Sequence, residues 1–214
     1  SNPNLVPADN LAFSGTGATR TLSITPLTDA NGTATIQLIA SDAQASSTNA
    51  ILLTVSSVND APSFTLSNSL VTVAEDTLLV LTNFVTNISA GPTNEANQAL
   101  SFLLTTTNKA FYLVPPTITA DGTLSFKPAA DATGTNELTV VLQDSAGIAL
   151  GGTNKSAPQT FSILVTPAND APKLSIVRTL TIKEDGGPTN ITFTLSDVDT
   201  ELGAVTVLAN SSNP

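Results

Sequence analysis

The sequence predicts an all-β protein built from tandem β-sandwich modules, one complete and two partial. Short apolar alternations separated by Gly, Pro, Asn and Asp run through the whole chain, which is typical of many short strands. No stretch keeps a helical apolar period for three turns. A five-residue joint at 58–62 (VNDAP) recurs 110 positions later at 168–172 (ANDAP), which is the spacing of one domain. We call these the first and the second joint.

A longer repeat gives the order of the strands. Residues 21–42 (TLSITPLTDANGTATIQLIASD) align without a gap with residues 123–144 (TLSFKPAADATGTNELTVVLQD), and nine of the 22 positions are identical. Each copy predicts a strand, a turn with Pro, and a long strand. In the first copy Ile36 and Leu38 alternate with polar positions, as expected of a sheet with one wet face. The run 138–142 is more continuously apolar and predicts a central strand.

The repeat divides the chain into three parts. Residues 1–60 are predicted to be the C-terminal part of one module, 61–170 a complete module, and 171–214 the N-terminal part of another. Ser-Asn-Pro at 1–3 recurs at 212–214, so the chain starts and stops at the same phase of the repeat. We expect the partial modules to be completed by flanking repeats or by neighbouring copies, because a half-sandwich exposes an apolar face and an unpaired edge.

Composition excludes several classes of function. The chain has no His and no Cys, which removes the usual zinc, copper and haem ligands and the commonest general base. We therefore predict that it is not an enzyme. Seventeen acidic against seven basic residues give a net charge of −10, which argues against nucleic acid as a partner. No apolar run reaches the roughly 18 residues that membrane insertion requires.

The acidic residues are concentrated at joints and at the ends of predicted strands. Carboxylate, amide and carbonyl oxygens are the ligands that calcium takes. A purely structural interpretation also accounts for Asn-Asp-Ala-Pro, because Asn and Asp side chains satisfy turn amides and Pro ends a strand. Simple solubility likewise accounts for an acidic surface. The residues alone leave these interpretations open.

The joint motif carries a resemblance to a known family. Each Asn-Asp-Ala-Pro is followed by a Glu-Asp pair, and Asp197-Val198-Asp199-Thr200-Glu201 follows the second. This pattern resembles the bacterial cadherin-like and immunoglobulin-like tandem repeats of giant surface and secreted proteins. The resemblance implies calcium (Ca2+) at the joints, held by an early-strand Glu, mid-module acids and the linker Asn-Asp. The candidate ligands are Asn59, Asp60, Glu75 and Asp76, then Asn169, Asp170, Glu184, Asp185, Asp197, Asp199 and Glu201, with Asp42 and Asp144 at strand ends.

The two joints differ in this pattern. Where the last part of the chain has its acidic cluster at 197–201, the complete module has residues 83–87 (NFVTN). We therefore expect a better supplied metal site at the second joint than at the first.

The predicted function is structural and extracellular. A calcium-stiffened repeat would serve at the cell surface or in a secreted protein as a stalk, adhesin extender or filament subunit, with neighbouring copies or flanking repeats as partners. The alternative is an accessory module of a large secreted enzyme that binds a glycan or another surface ligand. The polar segments 86–98 and 145–160 would carry such binding, because loops at a sandwich rim commonly do.

Overall fold

The computed structural model describes residues 2–175 and 179–212, which form short β-strands joined by turns. Ser1, Asn213 and Pro214, which carry most of the terminal Ser-Asn-Pro repeat, lie outside the described residues. Helical structure in the described part consists of three-residue 3-10 turns at Ala8–Asn10, Thr93–Glu95, Lys109–Phe111, Ala149–Gly151 and Leu202–Ala204. The prediction of an all-β chain is confirmed. No helix among the described residues is both long and apolar enough to cross a membrane.

The strands fall into three groups along the chain. The first segment (residues 2–58) contains β1 (Leu11–Ser14), β2 (Thr21–Ile24), β3 (Gly32–Ser41) and β4 (Ser46–Val55). The central sandwich contains β5 (Ser63–Leu66), β6 (Leu70–Ala74), β7 (Leu79–Leu81), β8 (Val85–Ser89), β9 (Leu100–Thr106), β10 (Tyr112–Ile118), β11 (Leu124–Pro128), β12 (Gly134–Asp144) and β13 (Gln159–Thr166). The last segment (residues 171–212, as far as described) contains β14 (Lys173–Leu174) and β15 (Leu195–Ser196).

Two sheets and a strand pair make up the central sandwich. One sheet has the order β6-β13-β12-β9 and the other β10-β11-β7, while β5 pairs with β8. β6 joins β13 in parallel, and the remaining pairs are antiparallel. β12 lies between β13 and β9, so the continuously apolar run predicted the central position of this strand correctly.

The core of the central sandwich comes from alternate residues of these strands. Phe126, Leu142 and Ile163 are fully buried, and the rings of Phe84 and Phe161 lie 4.8 Å apart in an edge-on arrangement. Full burial of one such side chain contributes about 1.5–3 kcal/mol. The central sandwich therefore has a hydrophobic core of its own.

The first segment is much less completely packed. β1 pairs with β2, and β3 pairs with β4, each in a two-stranded sheet. Leu5, Val6, Ala34 and Ile36 form a small separate core. The alternation predicted for β3 therefore holds in its first half only, and β4 exposes most of its length, with Leu52 74% exposed.

The last segment buries still less apolar surface. β14 and β15 form a two-residue pair. Apolar side chains stay largely exposed around it; Leu180, for example, is 50% and Ile182 64% exposed. In the described residues, both outer segments thus form two-stranded sheets with many exposed apolar side chains.

Candidate metal centres at the module joints

The first joint is fastened to the central sandwich through Asn59. Its side-chain amide donates to the carbonyl of Thr153 at 2.7 Å and to Asp144 Oδ2 at 3.2 Å. Its Oδ1 accepts from Gln98 Nε2 at 2.9 Å. Asp144 is only 4% exposed, and a buried carboxylate needs such donors to offset its lost hydration. Asn59 therefore has a structural contact with Asp144, one of the predicted ligands.

The loop between β12 and β13 also contacts the linker. A Cβ at Gly152 would lie 2.9 Å from the backbone nitrogen of Asn59, so the approach requires glycine. The neighbouring Thr153 N–H donates to the carbonyl of Asn59 at 2.9 Å. This loop, which we expected to carry variable recognition or no role, holds the first joint.

Glu95 contacts the same linker from another direction. The backbone N–H of Asp60 lies 3.2 Å from Glu95 Oε1 and 3.3 Å from Oε2. Pro92 precedes the 3-10 turn Thr93–Glu95 that carries this carboxylate, and Glu95 is 4% exposed. A buried acid thus lies directly on the linker amide.

Residues 83–87, which were matched to the acidic cluster of the last segment, contain no acid, and a different residue of the central module contacts the linker. Asn83 and Phe84 precede β8 and residues 85–87 begin it, with Phe84 fully buried in the core. The acid that corresponds to the last segment's cluster is Glu95, further along the chain. Alignment of Ala99-Leu100-Ser101-Phe102 with 204–207 (AVTV) is the sequence signal that would have found it.

The second joint repeats this arrangement. The backbone N–H of Asp170 donates to Asp199 Oδ2 at 2.7 Å. Asp197 Oδ1 accepts from the amides of Asp199 at 2.9 Å and Thr200 at 2.7 Å, which fixes the acidic turn. Asn169 Nδ2 donates to the carbonyl of Asp170 at 2.8 Å. Four predicted site residues therefore lie together at this joint.

Glu75 reaches the second joint from the central sandwich. It is 2% exposed, and its Oε1 accepts from the backbone N–H of Ala168 at 2.8 Å. Its Oε2 is buried and has no hydrogen-bond partner. A buried carboxylate oxygen without a partner is costly, so this position suits a cation.

The negative charges around Asp170 also favour a cation at the second joint. This side chain is partly buried. Burial, followed by the negative charges of Asp76, Asp199, Asp131 and Glu75, raises the pKa of the Asp170 carboxyl. The second joint therefore concentrates negative charge that a cation would neutralise.

Asp131 and its repeat counterpart Asp29 were missed by the sequence analysis. Both have left-handed backbone conformations, with φ of 57° and 60°, in the turns that follow β11 and β2. Asp29, Asp60 and Asn94 line an opening of about 250 Å³ at the first joint. The Asp shared by both copies of the 22-residue repeat was the available signal, but an acid in a predicted turn does not by itself indicate a ligand.

The remaining predicted residues have other surroundings. The Asp42 carboxylate accepts from the amides of Gln44 at 3.1 Å and Ala45 at 2.9 Å, and these bonds lower its pKa. Asp42 therefore caps the β3–β4 hairpin turn. Glu184, Asp185 and Glu201 are exposed on the last segment.

The chemical type of the donor atoms suits calcium, but the acidic side chains lie too far apart to enclose an ion. Within residues 2–175 and 179–212, no three acidic side chains lie close enough together to hold a metal. The donors are carboxylate and amide oxygens, which calcium prefers. Together with the free Oε2 of Glu75, the donor set fits calcium in its chemistry.

The single tyrosine offers no surface for a sugar. Tyr112 is 7% exposed, and Asn136 Nδ2 donates to its hydroxyl at 3.0 Å. Burial raises the pKa of Tyr112 to about 12. Its ring is part of the core, where it packs on Phe126 at 5.8 Å.

Solved structures of other proteins share the β-sandwich fold of this chain. Two crystal structures of human protocadherin-24 EC1-2 are similar. One has a TM-score of 0.51 at 17% identity, covering 78% of this chain and 80% of that chain. The other has a TM-score of 0.50 at 18% identity, covering 74% and 78%. Identities this low show the fold alone.

An endo-fucoidan hydrolase of glycoside hydrolase family 107 is matched at a TM-score of 0.34 and 20% identity, over 74% of this chain and 22% of that chain. This similarity is too low to show a shared fold. No curated protein matches. Residues 59–163 match the sequence model of the bacterial Ig domain family. The central part of the chain is therefore similar in sequence to a bacterial Ig domain, and the fold is a cadherin-like β-sandwich.

Proposed function

We propose that this chain is a structural segment of an extracellular repeat protein, a stalk, adhesin extender or filament subunit, whose joints are stiffened by calcium. One observation carries the proposal: at both joints a carboxylate of the following module holds the amide of the linker Asp. Glu95 does so for Asp60, and Asp199 for Asp170. An ion bound to these carboxylates would fix each module relative to the next.

The candidate ligands at the second joint are four carboxylates, which would have to draw closer together than in this structure to enclose the ion. Glu75 and Asp131 belong to the central sandwich, Asp170 to the linker and Asp199 to the last segment. The buried free oxygen of Glu75 and the raised pKa of Asp170 support this assignment. Calcium supplies positive charge that offsets their repulsion, and it takes six to eight oxygens, so backbone carbonyls and water would complete its shell.

At the first joint, the proposed ligands come from three parts of the chain. Asp29 belongs to the first segment, Asp60 to the linker, and Glu95 and Asp144 to the central sandwich. The opening lined by Asp29 and Asp60 supports their assignment. Asn59, which donates to Asp144, would keep that carboxylate in place.

We further propose the module limits 1–60, 61–170 and 171–214, with both outer parts completed by neighbouring copies or repeats. The separate cores of the first segment and the central sandwich support these limits. The exposed apolar side chains of both outer segments support their completion.

The ligand-binding alternative has less support. The loop after β12 and the turn at Thr93–Glu95 both contact the linker of the first joint. The sole Tyr is buried, and the chain has no Trp. The segments offered for recognition are thus engaged in holding a joint.

Thermal unfolding with millimolar calcium and with excess chelator tests the proposal. At a calcium concentration 100 times the Kd, binding to the folded chain alone stabilises it by about 2.7 kcal/mol. We expect a clear rise in Tm with calcium, together with a longer and stiffer particle in small-angle scattering. Coincident melts and identical scattering would overturn the calcium assignment.

A further inference from the structure

The central sandwich shows how an early strand and a late strand of one module pair. β6 lies parallel to β13, with Val71 opposite Ile163 and Val73 opposite Val165. All four side chains are at most 7% exposed. The pairing therefore closes one edge of the sheet and covers part of its core.

The same two elements recur at opposite ends of the chain. β4 corresponds to β13, because Val55 pairs with Gly32 as Val165 pairs with Gly134. Residues 179–183 (TLTIK) correspond to β6, at the 109-residue offset that also relates Glu184 to Glu75.

Within residues 2–175 and 179–212, neither element pairs with the strand that its counterpart in the central sandwich pairs with. β4 pairs with β3 alone, and residues 179–183 lie outside every strand of the described part. Leu180 and Ile182, the counterparts of Val71 and Val73, are 50% and 64% exposed. Ile51, the counterpart of the buried Phe161, is 41% exposed. An acceptor edge and a donor strand are thus both open.

We propose that a second copy of this chain adds residues 179–183 in parallel to the free edge of β4. The β6–β13 register sets Leu180 opposite Leu53 and Ile182 opposite Val55. On the outer face, Thr179 lies opposite Leu52, and Thr181 opposite Thr54. This addition rests on the proposed completion of the partial modules, and it names the strand, direction and register.

The pairing has a consequence for the first joint. In the central sandwich the Glu75 amide donates to the carbonyl of Thr166 at 3.0 Å, and the Ala168 amide donates to Glu75 Oε1 at 2.8 Å. The counterpart of Ala168 is Val58, beside Asn59. Glu184 of the second copy would therefore accept from the Val58 amide and supply the early-strand carboxylate that the first joint lacks within one chain.

Disulfide trapping tests the register, because the chain has no cysteine of its own. Single-cysteine full-length chains are mixed in pairs with calcium, one of each pair carrying a heavy isotope so that mixed dimers are identified by mass. Matched pairs are Thr54→Cys with Thr181→Cys, and Leu52→Cys with Thr179→Cys. Mismatched pairs exchange the partners and place the cysteines two residues out of register, an extra displacement of about 6–7 Å along the strand.

We expect matched pairs to form mixed disulfides about tenfold faster than mismatched pairs, because a disulfide needs Cβ atoms about 4 Å apart. We also expect Glu184→Gln to weaken the calcium dependence of trapping. Equal rates, or faster mismatched pairs, would overturn the register and leave self-association standing. Monomers with no mixed disulfide in any pair would overturn completion by a second copy. Thermal unfolding with calcium and with chelator would still test calcium binding at the joints separately.

Discussion

The carboxylate of Glu95 accepts a hydrogen bond from the backbone N–H of Asp60 at 3.2 Å. The carboxylate of Asp199 makes the same contact with Asp170 at 2.7 Å. The two pairs are 35 and 29 residues apart in sequence, and their surrounding sequences differ. A shared contact at two joints indicates that the linker Asp is held in one way throughout the repeat.

Replacement of Glu95 by Gln separates charge from hydrogen bonding. Gln keeps an acceptor for the Asp60 amide, so we expect little change in Tm with chelator. The lost charge should weaken calcium binding at the first joint about tenfold, equivalent to about 1.4 kcal/mol. Calorimetric titration measures the calcium affinity of each variant. The matched control is Glu137→Gln, at an exposed position on β12. An equal effect of both variants would contradict a specific role for Glu95.

The pH dependence of stability should have opposite signs at Asp170 and Asp121. The pKa of Asp170 is raised above the ordinary 3.8, so the folded chain binds protons more readily there than the unfolded chain. Its ionisation therefore lowers stability as pH rises through the folded value. The hydroxyl of Thr119, followed by the amide of Thr123, lowers the pKa of Asp121, so that carboxylate stabilises the fold above pH 3.8 and the gain disappears in acid.

Chelator-treated variants check these signs. Asp170→Asn should be more stable than the natural chain at neutral pH, with a difference that shrinks towards pH 3.8. Asp121→Asn should be less stable at neutral pH, and its deficit should also shrink in acid. Thermal unfolding from about pH 2 to pH 7 is the measurement, because the contribution of Asp121 is lost only below pH 3.8. A loss of stability in Asp170→Asn at neutral pH would contradict the charge crowding inferred at the second joint.

Burial of equivalent residues differs between modules, and so should the cost of truncating them. Phe161 is 2% exposed, whereas its counterpart Ile51 is 41% exposed. We expect Phe161→Ala to cost about 3–5 kcal/mol of unfolding free energy. Ile51→Ala should cost about 0.5 kcal/mol or less in dilute monomer. Scanning calorimetry measures both, and a large cost at Ile51 in monomer would show that its edge is already covered.

Gly152 should be needed for the position of the linker. A Cβ at this residue would lie 2.9 Å from the nitrogen of Asn59, so Gly152→Ala should displace the linker and expose the Thr153 amide. We expect about tenfold faster hydrogen exchange at that amide, or roughly 1.4 kcal/mol of lost protection. Gly147→Ala, in the same loop with the nearest atom 4.0 Å away, is the control. Unchanged exchange in Gly152→Ala would contradict the contact.

Much of the fold followed from the sequence, because the repeat and the alternation of apolar residues report burial directly. The all-β architecture and the central place of β12 are of this kind. The first joint was harder to predict. Its mid-module acid is further from the linker than that of the second joint, since the central module has a longer connection before β9. The acidic cluster begins 13 residues after Glu184, whereas Glu95 lies 20 residues after Glu75. A comparison of nearby positions therefore did not reach Glu95.

The candidate ligands that the sequence did not indicate, Glu95, Asp29 and Asp131, have one physical feature in common. All three lie in turns. The local sequence around an acidic residue in a turn is the same whether its carboxylate caps a backbone amide or faces a joint. Only the tertiary fold brings Glu95 to Asp60. For Asp42 the reverse holds, because its carboxylate is satisfied by its own hairpin.

Calorimetric titration of the chain with calcium tests the central claim most directly, when the natural chain is compared with the double variant Glu75→Gln, Glu95→Gln. Gln retains an acceptor oxygen for the linker amide at each joint, so the variant should fold with a similar Tm in chelator. We predict saturable calcium binding to the natural chain and its loss in the variant. Absence of binding to the natural chain, or equal binding to both, would contradict calcium at the joints.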